Sequence, residues 1–317
     1  MVAESWRCES VAGMGAAGAS PECYDSVRYV RFRGERRGPA PAGPLARGPL
    51  LPALPVRDGN QVCSYGAFQR YLCKDCDRTF SDKTGTIFAH AKTALTEWFF
   101  TIYAFLRFNV SIRQLEAELN LSYRTLHQRV ERFCEALDAP DLSLSGPVEI
   151  DEVYVTAGMK ARERDRSSRS RGLSARGRGS YEGDKPPVFV LADRGTGKRY
   201  VVLAKSADGS TVRLLLANHE EESLTVYTDG FRAYDPLDDD ERFDREFVVH
   251  GNGEYADGEV HINTCESHGS LLRPWLSPHR GISKDRLTPY LRAFQLRRQL
   301  VRKSGREALE HAIKKVL

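Results

Sequence analysis

Three acidic residues carry the strongest chemical signal in this chain: Asp151, Asp229 and Glu266. Asp151 lies in VEIDEVYV (148–155), whose Val, Ile and Tyr content predicts a strand. Alternation puts Glu149, Asp151 and Val153 on one face, with Ile150, Glu152 and Tyr154 on the other. An acid inside such a strand costs free energy unless it is paired or bound to a cation. Asp229 ends a second apolar strand in SLTVYTDGFRAY (223–234), and Gly230 follows it, so it is well placed to reach a neighbouring acid. Glu266 stands in HINTCESHGSLLRPWL, where Leu271, Leu272 and Trp275 follow at helical spacing, so it falls near the start of a helix. Arg273 comes two turns later on the same helical face, where it can contact a phosphate.

Each acid alone reads better as a strand or helix cap; the three together, in this setting, suit phosphodiester chemistry. Mg²⁺ (or Mn²⁺) prefers hard oxygen ligands and keeps several waters. Two such ions about 3.5–4 Å apart activate an attacking oxygen and steady a leaving one. Three carboxylates supply enough negative charge to recruit them.

The elements between the acids form a consistent frame. PPVFVLADRGTGKRYVVLAKS (186–206) predicts a hairpin with a GTG turn, and STVRLLLANH (210–219) a helix. Strand, hairpin, helix, strand is the order of an RNase H-like core, so the fold class expected is α/β over 147–300. Within it, 159–185 holds nine Lys or Arg against four Asp or Glu and almost nothing apolar, which predicts a basic loop between two strands. Residues 301–317 predict a C-terminal helix.

Upstream, residues 91–140 are helical. Ser111 and Gln114 make a capping-box pattern, and Ile112, Leu115 and Leu119 share a face. Asn120-Leu121 can form a turn. Ser122 can cap a second helix whose inner face is Leu126, Val130, Phe133 and Leu137. The outline is that of a helix-turn-helix, which would turn Tyr123, Arg124, Thr125, Gln128 and Arg129 outward to DNA. A plain helical hairpin is the alternative.

Residues 58–90 read as short strands and turns around YLCKDCDRTF. Cys73 and Cys76 have the spacing of two Zn²⁺ thiolates, half of a zinc ribbon. Residues 1–57, rich in Gly, Ala, Pro and Arg, keep no helical or strand period and read as disordered. Seven cysteines, an odd number, with no apolar export segment argue against a disulfide framework. The 317 residues contain no run of about 18 apolar residues, which excludes a membrane span and suggests a cytoplasmic, nucleoid-associated protein. The net charge of +4 says little, but arginine clusters at 28–37, 162–178 and 292–306 can neutralise phosphates.

From about Phe68 to Arg298 the chain resembles the ISXO-like DDE transposases of prokaryotic insertion sequences. The resemblance rests on RYLCKDCDRTFSDKTGTIF, VEIDEVYV, VYTDGFRAY and HINTCESHGSLLRPWLSPHRGISKDRLTPYLRAFQLRR. It implies a zinc ribbon, a helix-turn-helix, an RNase H-like domain with an acidic triad, and double-stranded DNA partners: terminal inverted repeats and target DNA. It also implies a homo-oligomer in the synaptic complex. Water would cleave, and the freed 3′-hydroxyl would attack the target. Asp151 and Asp229 match the first two acids. Members use Glu or Asn third, and here Glu266 and Asn263 both stand near that position; Glu266 is preferred because an anionic oxygen binds Mg²⁺ better than an amide. Two other functions fit: a catalytically silent transposase remnant that still binds inverted repeats, and a resolvase or nuclease of RNase H-like fold.

The first C-x-x-C of a ribbon is missing, but Leu51-Pro-Ala-Leu-Pro suggests where it went. If both leucine codons end in TG, a +1 shift of frame yields Cys-x-x-Cys, starting 22 residues before Cys73. Residues 1 to about 57 would then be translated out of the ancestral frame. Reading the gene checks this: CTG or TTG is expected at 51 and 54, and other leucine codons overturn it.

Overall fold

The structure, a computed structural model, describes residues 5–10, 30–35, 59–65, 68–73, 79–81, 83–157, 179–183, 185–219, 221–249, 256, 258–279 and 282–317. Cys76 and most of the basic loop lie outside the described residues, as does most of 1–57. Within 1–57, strands β1 (Ser5–Ser10) and β2 (Val30–Glu35) pair antiparallel, where composition predicts no regular structure. The reason is visible in the chain: Trp6-Arg7-Cys8-Glu9 and Val30-Arg31-Phe32-Arg33 alternate with period two. Strands β3 (Gly59–Tyr65), β4 (Phe68–Cys73) and β5 (Thr79–Ser81) form a second antiparallel sheet, with Cys73 closing β4.

The chain divides into two compact units. One comprises 1–104, 119–136 and 304–317; the other comprises 105–118 and 137–303. Helix α1 (Leu95–Phe108) runs from the first into the second. Helix α2 (Ile112–Leu119) starts with the expected capping box, in which Ser111 N–H donates to Gln114 Oε1 (2.7 Å) and Gln114 N–H to Ser111 Oγ (3.3 Å). Asn120 then takes a positive φ of 51°, which its short amide tolerates, and α3 (Tyr123–Glu135) begins with Ser122 accepting from Thr125 N–H. Leu126, Val130, Phe133 and Leu137 are buried as the period predicts. No described helix is long and apolar enough to cross a membrane.

In the second unit the described residues form a mixed sheet of five strands. These are β6 (Val148–Tyr154), β7 (Pro187–Asp193), β8 (Arg199–Leu203), β9 (Leu224–Asp229) and β10 (Phe243–Val248). They lie in the order β10-β9-β6-β7-β8. The first three in sequence are antiparallel neighbours; β9 runs parallel to β6, and β10 parallel to β9. This order and these directions agree with the RNase H-like core expected. The polar edge strand β10 is the addition: FDREFV hides its periodicity under charge.

The two faces of the sheet differ. Val148 and Ile150 of β6, Phe189 and Leu191 of β7, and Leu224 and Val226 of β9 point into an apolar core. Val212, Leu215 and Leu216 of α4 (Gly209–Leu216) close it, with Tyr234 and Leu237. On the other face α5 (Asn263–Leu276) crosses β6 and β7. Helix α6 (Lys284–Leu300) packs beside β8, and α7 (Gly305–Lys314) follows in the first unit under its own Ser304 capping box.

The crossing of α5 over β6 requires Gly269. A Cβ there would stand 2.6 Å from Cγ2 of the core residue Val153, closer than real contacts allow. Gly269→Ala should therefore cost about 1–3 kcal/mol through overpacking, despite the better helix propensity of Ala. Urea unfolding checks this: a lowered midpoint is expected, with exposed Ser270→Ala near neutral as the control.

Candidate active site

The parallel pairing of β6 and β9 sets the site. Their ladder joins Val148 to Val226 and Glu149 to Tyr227, and the same register carried two residues further brings Asp151 level with Asp229. The odd-numbered residues of β6 face α5, so Asp151 looks toward the helix that carries Glu266. Along α5, Asn263, Glu266, Ser270 and Arg273 recur at spacings of three and four and are all exposed, while Cys265, His268, Leu272 and Trp275 are buried.

Asp151 registers its neighbours. Its carboxyl is pushed up to about 7, by burial first, then by the charges of Glu152 and Asp229; Glu266 adds a smaller push. The Glu152 N–H donated to Oδ1 (2.9 Å) works in the opposite direction. The structure thus brings the three predicted acids within electrostatic reach. Among the described residues, no three His, Cys, Asp or Glu side chains form a preassembled metal cluster. The donor set is still one a hard cation fits: carboxylate oxygens only, with repulsion that a cation would relieve.

Asp229 is held by its backbone. Its Oδ1 accepts the Phe231 N–H (3.0 Å), and its carbonyl accepts from the Thr228 hydroxyl (2.8 Å) and from Arg245 Nη2 (3.3 Å). Arg245, with its side chain 2% exposed, also donates to Thr228 Oγ1 (2.9 Å) and Asp238 Oδ2 (2.9 Å). Glu152 turns to the core face, where its Oε2 accepts the Tyr234 hydroxyl (2.8 Å). Burial and then the Glu152 charge raise the Tyr234 phenol well above its ordinary value.

Reading from sequence overlooked the fully buried Glu149. Oε2 accepts the backbone N–H of Thr264 (2.8 Å) and Cys265 (3.1 Å); Oε1 accepts the Thr264 hydroxyl (2.9 Å) and Arg194 Nε (2.9 Å). The available signal was an acid two residues before Asp151 on the same strand face.

One predicted DNA contact is corrected. Tyr123, Arg124 and Gln128 are exposed and Thr125 is half-buried, but Arg129 is 2% exposed and does not face outward. It donates to Glu97 Oε2 (3.1 Å), Thr93 and Thr101, and lies over the Trp98 ring. Arg129 falls three residues after Leu126 and four before Phe133, on the buried stripe, so it braces α3 against α1 within the first unit.

Residues 143–299 match the family model of the ISXO2-like transposase domain. A protein of Halobacterium salinarum, described as an uncharacterized protein in transposable element ISH50, is 67% identical over 254 residues, spanning 80% of this chain and 86% of that one. Two distant likenesses among solved structures are a simian T-cell lymphotropic virus intasome with a PP2A regulatory subunit and a pre-cleavage Mos1 transpososome. The first has a TM-score of 0.30 and 8% identity over 62% of this chain and 68% of that one. The second has 0.21 and 11%, over 64% and 74%. Likeness this slight bears on neither fold nor activity.

The raised Asp151 carboxyl has a consequence for stability. Its ordinary value is 3.8 and its folded value about 7, so between these pH values the folded chain holds more protons than the unfolded one. Stability then falls as pH rises through that window. Asp151→Asn escapes the penalty. In chelator-treated buffer above pH 7 it should be more stable than the parent by about 1–3 kcal/mol, discounted for partial solvent access. The gain should shrink toward zero as pH drops to 4. Urea unfolding across pH 4–8 checks it, and a gain independent of pH refutes it.

Proposed function

The chain belongs to the ISXO2-like transposases, and from that premise we propose that it binds the ends of its insertion element and cuts and joins DNA at the Asp151, Asp229 and Glu266 site. The observation that carries this reading is geometric: the β6–β9 register sets Asp151 level with Asp229 beneath the helix of Glu266, and burial, then the charges of Glu152 and Asp229, raise the Asp151 carboxyl, with a smaller push from Glu266. Such an arrangement costs stability and has no use in an inert core.

Asp151, Asp229 and Glu266 would hold divalent cations, which would supply polarisation of the attacking oxygen and charge to offset the leaving one. Asp151 and Asp229 stand level on neighbouring strands, so the sheet keeps their spacing. Glu266 sits on a helix packed over that sheet and would close the set from above. Arg273, two turns along the exposed stripe, would take a DNA phosphate beside the reacting one and orient the backbone for in-line attack. Water attacks first to release a 3′-hydroxyl at the element end; that hydroxyl then attacks the target phosphodiester. Tyr123, Arg124, Thr125 and Gln128 at the start of α3 would read or position the element ends, without Arg129.

The test uses labelled duplexes carrying the element's terminal inverted repeats. Asp151→Ala and Asp229→Ala should each lower metal-dependent nicking and strand transfer more than about 100-fold, beyond what loss of a supporting residue costs. Both should retain the parent's footprint, and chelation should act like the substitutions. Full activity in either variant rejects the assignment. A parent that footprints the ends but nicks nothing is a silent remnant instead.

A further inference from the structure

The first turn of α5 lacks a local cap. Its N-cap residue is Ile262, which offers no side-chain oxygen. A cap normally accepts the N–H groups of the second and third helical residues. Here those residues are Thr264 and Cys265, and the acceptor is Glu149 on β6. A Ser at 262 could cap these groups locally without burying a charge. A local cap ties a helix to its own preceding loop, whereas a strand-borne cap ties it to the strand.

The tie is reinforced on every side. Arg194 neutralises Glu149 and spends its other nitrogens on the carbonyls of Glu259 (2.7 Å) and His261 (2.9 Å), just before α5. Its guanidinium lies over the Tyr227 ring of β9, 4.3 Å from the centroid. The Cys265 thiol donates to the carbonyls of Glu149 and Val190, both at 3.2 Å. Glu266 follows Cys265 directly, and Asp151 follows Glu149 by two residues on the same strand face.

We propose that Glu149 is a positioning residue, fixing the first turn of α5 to β6 and so setting the place of Glu266 relative to Asp151. This rests on Glu266 being the third acid of the site. Glu149 itself touches neither DNA nor cation; it acts through Thr264, Cys265 and the helix they start.

The experiment uses full-length protein and Mn²⁺ as the probe, with bound ion followed by electron paramagnetic resonance. Glu149→Gln keeps an acceptor oxygen but loses the charge that Arg194 and the amides grip. It should weaken Mn²⁺ binding about 10-fold and speed hydrogen exchange at the Thr264 and Cys265 amides. In a Glu266→Gln background the same change should cost nothing further, since its effect runs through Glu266. An equal loss in both backgrounds, or no loss in either, overturns the proposal. Arg194→Lys, expected to move binding the same way by a smaller factor, replaces Glu149→Gln if that variant does not fold; no change there counts equally against it. If Glu266→Gln alone leaves Mn²⁺ binding and strand transfer intact, the third-acid reading fails, and its failure is distinguished from that of the positioning role.

Discussion

The packing of α5 on the sheet depends on a carboxylate with no access to water. A charge buried this fully is tolerated only when hydrogen-bond donors replace its hydration. Glu149 has four: two amides, a hydroxyl and a guanidinium. They come from two places, the first turn of α5 and the turn after β7, so the two oxygens of one side chain join segments far apart in sequence. Arg194 extends the junction to β9 through Tyr227 and to the approach of α5 through two carbonyls. Removing one partner of such a pair strands the other charge in the interior, which is why the junction holds together as a unit.

The two faces of the sheet carry different kinds of residue. Even-numbered positions of β6 and odd-numbered positions of β7 bury aliphatic and aromatic groups under α4, where each fully buried side chain contributes about 1.5–3 kcal/mol. Odd-numbered positions of β6 carry Glu149 and Asp151, and β9 adds Asp229. Burial first, and then the neighbouring charges of Glu152 and Asp229, raise the Asp151 carboxyl. That cost is borne by the apolar face and, at Asp229, by a clamp. Arg245 stands behind Asp229, its guanidinium holding the backbone carbonyl of that residue and two acids of the following turn.

Much of this was legible in the sequence, since each element carries its own period. The strand around Asp151, the hairpin after it, the strand ending at Asp229 and the helix holding Glu266 all follow from residues within a few positions of one another. The misses arise where local pattern and tertiary placement part. Glu149 looks the same in sequence as Asp151, and only the arrival of the α5 amides distinguishes a structural acid from a site acid. Arg129 was turned outward because of its charge, although the helical period placed it with Leu126 and Phe133. Strand β10 hides because an edge strand needs few apolar residues, and FDREFV shows almost none between its ends.

The same geometry bears on whether Asn263 or Glu266 is the better third ligand. Both lie on the exposed stripe of α5, one turn apart. The amides of Thr264 and Cys265 are held by Glu149, and that of Glu266 by the Ile262 carbonyl (3.0 Å), an i to i−4 bond of the helix itself. Asn263 sits before these attachments, at the junction with the incoming loop, whereas Glu266 sits after them on a turn fixed at both ends. A ligand has to be held within about 0.5 Å to be useful. If the strand-borne cap positions it, Glu266 would meet that demand, and its charge adds the smallest of the pushes on the Asp151 carboxyl. Asn263 has neither advantage, and its amide is better suited to orienting a neighbouring water or phosphate.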